Sequence, residues 1–461
     1  MRNFLQTLRD AIKGTEENLT EIPLNRAIIL LAVPMILEMV MESLFAVVDA
    51  FFVAQVGPQA LTTVGLTESV MFLVYSLGIG LSMAATAMVA RRAGEGDVEG
   101  ASIAAGQAIW LGVMLSILVA VLGVGFADDI LRLMGGSEEL IINGVNYTRI
   151  MFGTNIVIML IFLLNGIFRG VGNAAIAMRT LWLSNGINIV LDPCLIQGIG
   201  PFPELGLEGA AIATSIGRGI GVLFQLYHLF NGKAVLKMMR RHFVWVSEII
   251  TKLVSVGAGG AGQYLISSAS WIFLMRIMAE FSEEVVAGYV VAIRIIIFAI
   301  LPAWGLANAA ATLVGQNLGA KAPDRASKAA WTTAFYAMLY LLILSGASIW
   351  GAPYIVAFFG QTGEGLQAGV EALQTICIGY VFYAYGMVMI QALNGAGDTR
   401  TPTLVNFICF WLVQVPIAYG LAVYADWGPQ GVYWAIVIAS AFYAAVSIWF
   451  FQRGKWKEVA I

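Results

Sequence analysis

Three carboxylates stand in one apolar stretch near the start of the chain: Glu38, Glu42 and Asp49. Spacings of four and seven residues put all three on one face of a helix. Farther on, Asn185, Asn188 and Asp192 fall three and four residues apart, again on one face. A charge at the centre of a membrane helix costs ~2.5–3.5 kcal/mol on insertion scales, so each such acid needs a reason. A carboxylate in a low-dielectric cavity holds a proton more tightly than one in water. Joined by amide and hydroxyl oxygens, it suits a hard cation such as Na⁺. The two stripes therefore read as the walls of one hydrated cavity that handles H⁺ or Na⁺. Pro34 and Pro193 free the carbonyls of Leu30 and Ile189, which can join such a site or let its helices bend. For either proline alone, a static kink is the plainer reading.

The elements that must position these residues are membrane helices. Apolar residues make up 59% of the chain and charged residues 11%, against about half and a quarter in soluble domains. Apolar stretches long enough to cross a bilayer run over 26–54, 60–89, 101–125, 141–166, 176–197 and 207–230, then 247–278, 285–314, 326–350, 366–392, 402–424 and 430–451. Backbone groups in lipid must be satisfied within the segment, so these twelve spans are helices. The reading is an all-α, multi-pass protein with a segment 1–25, a first lobe 26–230, a linker 231–246, a second lobe 247–451 and a tail 452–461. The charged start of the chain argues against a cleaved signal peptide. Phe4, Leu5, Leu8 and Ile12 share one helical face there, and an interfacial helix on lipid and a solvated tail fit that pattern equally.

Cationic residues set the sidedness. With both termini cytoplasmic, the inner loops hold Arg91, Arg92, Arg169, Arg179, Lys233, Lys237, Arg240, Arg241, Lys321, Arg325, Lys328 and Arg400, and the outer loops only Arg132 and Arg149. That asymmetry predicts an integral protein of the cytoplasmic membrane. A net charge of −3 argues against a nucleic-acid partner. Cys194, Cys377 and Cys409 lie in apolar runs and imply no disulfide framework.

The chain also repeats itself at an offset of 225 residues: Ala93–Asp97 falls on Leu318–Ala322 and Arg169–Asn173 on Asn394–Asp398. Six spans per half make this a parallel repeat, with the pathway at the interface between halves. At that offset Glu38 becomes Gln263, Glu42 Ser267, Asp49 Leu274 and Asp192 Ile417. The loss of every acid from the second half favours coupling chemistry in the first over a structural polar network. Arg218, Arg276 and Arg294 read as structural, the latter two pairing with Glu280 or Glu68 or reaching an interface.

Other signals weaken on inspection. Gly257–Gly262 fits a dinucleotide-binding pattern without the strand such a motif needs, and small-residue helix packing explains it better. His228 and His242 are isolated, and no phosphate-binding loop for ATP is present. The sequence reads as a transporter without catalytic residues or cofactor.

These residues together resemble the multidrug and toxin extrusion transporters over essentially the whole chain. The resemblance rests on Val33-Pro34 with Val48-Asp49, on Phe168–Asn173, on Asn188–Pro193, on Gly209–Thr214 and on Leu393–Thr399. It implies two six-helix lobes forming a V that alternates between membrane faces. It implies export of organic cations and drugs, driven by inward H⁺ or Na⁺, by a monomer in contact with membrane lipids. It places the ion or proton site on Asp49, Asn188, Asp192 and Thr214, with Asn165 and Glu42 at flanking positions. Glu38 and Asn185, from the two polar stripes, are further candidate cavity residues. The norfloxacin-exporter branch carries acids where this chain has Ser267 and Tyr383, so the chain looks more like the DNA-damage-inducible branch. Two alternatives stand beside this reading: a flippase for lipid-linked saccharides, and a non-transporting receptor or scaffold.

Overall fold

The computed structural model describes residues 2–15, 17–231, 236 and 238–461. Two cations of the sidedness argument, Lys233 and Lys237, lie outside the described residues. A short helix α1 (Arg2–Lys13) precedes the spans α2 (Leu24–Val56), α3 (Pro58–Gly94) and α4 (Val98–Gly125). After a connecting α5 (Ala127–Leu133), the fourth span is a pair, α6 (Glu138–Gly153) and α7 (Asn155–Gly170). α8 (Ala174–Ile196) and α9 (Gly206–Phe230) complete the first lobe. The second lobe holds α10 (Ser247–Met278), α11 (Glu283–Gly319), α12 (Pro323–Phe358), the pair α13 (Gly363–Ile378) and α14 (Tyr380–Gly395), α15 (Arg400–Tyr424) and α16 (Pro429–Gln452). This is the expected all-helical membrane protein in two sets of six, with no strand among the described residues. Ten helices, or eleven with the bent pair α13–α14 taken as one span, are long and apolar enough to cross a membrane, and α10 is the one that falls short of that measure.

The repeat is built into the backbone. The fourth span breaks at Thr154 and its counterpart, bent by 54°, at Gly379, 225 positions on. Gly172 and Gly397, also 225 apart, both turn the chain at φ 91°, where a side chain would be strained. The contact between lobes is duplicated as well. A methyl group on Gly80 of α3 would strike the backbone of Gly257 and Ala261 on α10, and one on Gly305 of α11 would strike Met35 and Ile36 on α2. Gly94 likewise abuts the Gln316 carbonyl and Gly319 the Arg91 carbonyl, the same contact with the lobes exchanged. The glycine-rich stretch of α10 thus serves backbone-to-backbone packing.

Where the structure departs from the apolar runs, it lengthens them. α3 and α11 continue five residues beyond their expected ends at 89 and 314. Those extra turns carry polar residues that find partners across the lobe interface. Arg91 donates to the carbonyls of Ala396 (3.3 Å) and Val459 (2.9 Å), and Gln316 donates to that of Gly170 (2.8 Å). The lobes are therefore pinned together at the face that carries both termini. The N-terminal segment adds to this closure: Arg179 donates to the carbonyls of Ile12 and Lys13, and Arg325 of the second lobe to those of Leu19 and Ile22. α1 buries Ala11 and leaves Phe4, Leu5 and Ile12 exposed.

Candidate functional site

The eight polar residues singled out in the first lobe separate into three groups. In the first, buried Glu38 faces Arg169 of α7 at 3.4 Å and accepts from Asn165 at 3.2 Å. Arg169 also donates to Ser82, and Asn165 accepts from Gln225. In the second, Glu42 is held by Arg218 of α9 through two contacts of 2.6 and 3.2 Å and by Asn185 at 3.1 Å. Arg218 also lies over the ring of Phe45, 4.8 Å from its centroid. Both glutamates are ion-paired, although Glu38 Oε2 and Asn185 Oδ1 find no hydrogen-bond partner among the described residues. Of the three arginines expected to be structural, Arg218 alone is ion-paired among the described residues. Arg276 and Arg294 form no ion pair with Glu280 or Glu68.

The third group is different in kind. Asp192 on α8 is fully buried. Its Oδ1 accepts from Asn188 one turn earlier (3.2 Å), whose amide also reaches Thr214 Oγ1 of α9 at 3.2 Å. Asp192 Oδ2 and Asn188 Oδ1 are buried oxygens without a partner among the described residues. Asp49, half-buried near the far end of α2, lies within electrostatic range of Asp192 and of Glu68 on α3. The base whose charge reaches it among the described residues, Arg218, is engaged by Glu42. α2, α8 and α9 thus bring Asp49, Asn188, Asp192 and Thr214 into one neighbourhood, with carboxylate, amide and hydroxyl oxygens free to accept. Such a set can take up a proton or ligate a hard monovalent cation through oxygen.

Two members of this neighbourhood were not assigned to it by the sequence reading: Glu68, taken there only as a partner for an arginine, and Tyr147. Both lie within electrostatic range of Asp49. Glu68 stands alone in its span, without the helical spacing that exposed the other acids, and Tyr147 was hidden among fifteen tyrosines.

The second lobe contains a cavity of about 230 Å³ at the corresponding depth, lined by α10, α11, α13, α14, α15 and α16 with Ile79 and Met83 of α3. A family model described as MatE matches the chain twice, over residues 34–194 and 261–420, once in each lobe. The chain belongs to the MatE family. Members of this family are membrane transporters and not enzymes, and the two matched segments coincide with the duplicated backbone described above.

Among curated relatives, a "probable multidrug resistance protein NorM" of Thermotoga maritima is 25% identical, over 96% of this chain and 95% of the relative. An "FAD transporter" of Shewanella oneidensis is 23% identical, over 94% and 95%. Among solved structures, one described as the outward-facing conformation of a multidrug resistance MATE family transporter superposes with a TM-score of 0.90 at 27% identity, over 95% of this chain and 98% of that one. A transporter from Pyrococcus furiosus, described as having a binding pocket of reversed polarity, gives 0.89 at 27% identity, over 96% and 98%.

Proposed function

We propose that this MatE protein is a secondary antiporter that exports organic cations and drugs in exchange for H⁺ or Na⁺. The exchange ion is held in the first lobe by Asp49, Asn188, Asp192 and Thr214. One observation carries this reading: Asp49 and Asp192 form no ion pair among the described residues and leave Asp192 Oδ2 buried without a hydrogen bond, while both nearby glutamates are paired with arginines. Acids left without a base deep in a membrane protein are expensive unless an ion or proton visits them. The names of the multidrug-resistance relatives support drugs as cargo.

The coupling runs through α2. Its far half presents Asp49 to the site, and its middle carries Met35 and Ile36, which pack on Gly305 of the other lobe. Pro34, beside that contact, removes one helical hydrogen bond. Loading or emptying the site changes the charge beside Asp49, and the missing hydrogen bond at Pro34 gives α2 a place to bend against the second lobe. The lobes then exchange between opening at one membrane face and at the other. By the cation asymmetry, the pinned face that carries the termini is cytoplasmic, and the protein sits as a monomer in the cytoplasmic membrane. The branch reading follows from Ser267 and Tyr383, which leave the second lobe without coupling acids. A pyrophosphate-carrying flippase would want free basic groups in its pathway, whereas Arg169 and Arg218 are tied to glutamates.

The test is efflux of a fluorescent organic cation from proteoliposomes with the H⁺ and Na⁺ gradients imposed one at a time. Efflux driven by one of the two is the expected result. Absence of gradient-dependent movement under either would remove the antiporter reading.

A further inference from the structure

The cavity of the second lobe has an unusual wall. Tyr264, Trp304, Tyr383, Phe410 and Tyr443 line it, and among the described residues no acid, lysine, arginine or histidine does. The rings are ordered against one another. Tyr383 stacks on Tyr443 with centroids 6.1 Å apart, and Phe410 lies 5.2 Å from Tyr443. Tyr264 stacks at 4.8 Å on Phe72, which belongs to the first lobe.

The repeat explains where this wall comes from. Ser267, Phe410 and Tyr443 stand 225 positions after Glu42, Asn185 and Arg218. The charged cluster of the first lobe has thus been exchanged for a hydroxyl and two rings. The polar groups that remain are amides and hydroxyls. Asn406 donates to Ser267 Oγ at 3.3 Å, while its Oδ1 is buried and has no partner.

We infer that this cavity is a substrate subsite for a flat, uncharged aromatic ring system bearing an N–H donor. The inference builds on the transporter reading and names the part of the cargo that the second lobe recognises. Stacked and edge-on rings favour a flat aromatic guest. A cation would also be drawn to the ring faces, but it would have to shed its water with no anion in the wall to replace it. An uncharged ring escapes that penalty, and its N–H can be accepted by the amide and hydroxyl oxygens that line the wall with the rings. At about 230 Å³ the cavity falls below the ~300–1,000 Å³ of sites that enclose a whole drug-sized ligand. It therefore takes the ring portion of the cargo.

Three probes of one shape separate the possibilities: acridone, which is uncharged with an N–H; N-methylacridone, uncharged without it; and N-methylacridinium, a cation. Binding is read by quenching of tryptophan fluorescence in the full chain in lipid nanodiscs, at mildly alkaline pH and with no ion gradient. Acridone binds the native protein at least about tenfold more tightly than N-methylacridinium, with N-methylacridone between them. Tyr443→Ala weakens acridone about tenfold, and Asn406→Asp and Ser267→Asp each move the preference toward the cation. Monodisperse elution and a cooperative melt establish that each variant is folded, and the native probe series stands without any variant. Three results overturn the inference: acridone fails to bind, the cation binds the native protein as tightly, or acridone binding ignores all three substitutions. Because no gradient is used, loss of ion coupling with acridone binding intact would sink the antiporter reading alone. Gradient-driven efflux with no acridone binding would sink only this one.

Discussion

At the position where the first lobe packs Glu38 against Arg169, the second packs Gln263 against Asn394, with the two amides exchanging hydrogen bonds of 2.9 and 3.0 Å. The residues correspond one for one across the repeat, so a charged pair and a neutral pair fill the same place in the same fold. Glu42 and Arg218 have likewise become Ser267 and Tyr443. Asp49 and Asp192 are replaced by Leu274 and Ile417, which keep no polar partnership at all. The comparison teaches that loss of an acid from one lobe does not by itself mark coupling. Where the acid had a base, the pair was exchanged together for another pair or for packing. Where it had none, the whole function of the position went with it.

The sharpest way to break this comparison is to exchange half a pair. Arg169→Asn alone leaves Glu38 buried without its counter-charge, and a loss of about 3–5 kcal/mol is expected, seen as a lowered unfolding midpoint and poor yield. Adding Glu38→Gln installs the second lobe's own solution and restores most of that stability. Next in size, Gly80→Ala and Gly305→Ala push a methyl group into the opposing backbone at the two symmetric contacts. Each should disfavour the pinned arrangement by about 1–3 kcal/mol. Spin labels on the termini-side ends of α3 and α11 should then report longer distances, equally for both variants if the contacts are true counterparts. Thr214→Val removes one oxygen from the ion site while keeping its shape. A loss of about 1 kcal/mol, roughly fivefold in the ion concentration for half-maximal efflux, is expected. The smallest effect concerns the N-terminal segment. The Arg26 guanidinium beside Glu17 holds that carboxyl below the usual carboxylate range. A depressed folded-state pKa stabilises above the unfolded value and is lost as pH falls through the folded one. Acidification through that range should raise hydrogen exchange over residues 17–22, and added salt should do the same.

Much of the architecture was legible because apolar runs of this length satisfy their backbone in lipid only as helices. The helices followed from apolar runs, though α10 is less apolar than its neighbours, and the repeat from Gly-rich turns such as Gly170–Gly172 and Gly395–Gly397. The extra turns of α3 and α11 were hidden, since Arg91 and Gln316 look like loop residues until their partners across the interface are known. Helical spacing put Glu38, Glu42 and Asp49 on one face, but spacing along a helix says nothing of which acid meets an arginine on another. Arg169 and Arg218 lie 131 and 176 residues from their glutamates, beyond the reach of any local pattern. The neutral aromatic cavity was invisible for a related reason. Its rings come from five separate helices, and each looked like ordinary packing within its own span.

The most direct measurement compares three variants in one assay of gradient-driven efflux from proteoliposomes: Asp49→Asn, Asp192→Asn and the double exchange Glu38→Gln with Arg169→Asn. Both aspartate variants should reach the membrane folded and lose gradient-driven efflux, while the double exchange keeps it. Full efflux by both aspartate variants, or its loss only in the double exchange, would contradict the division between paired glutamates and unpaired aspartates.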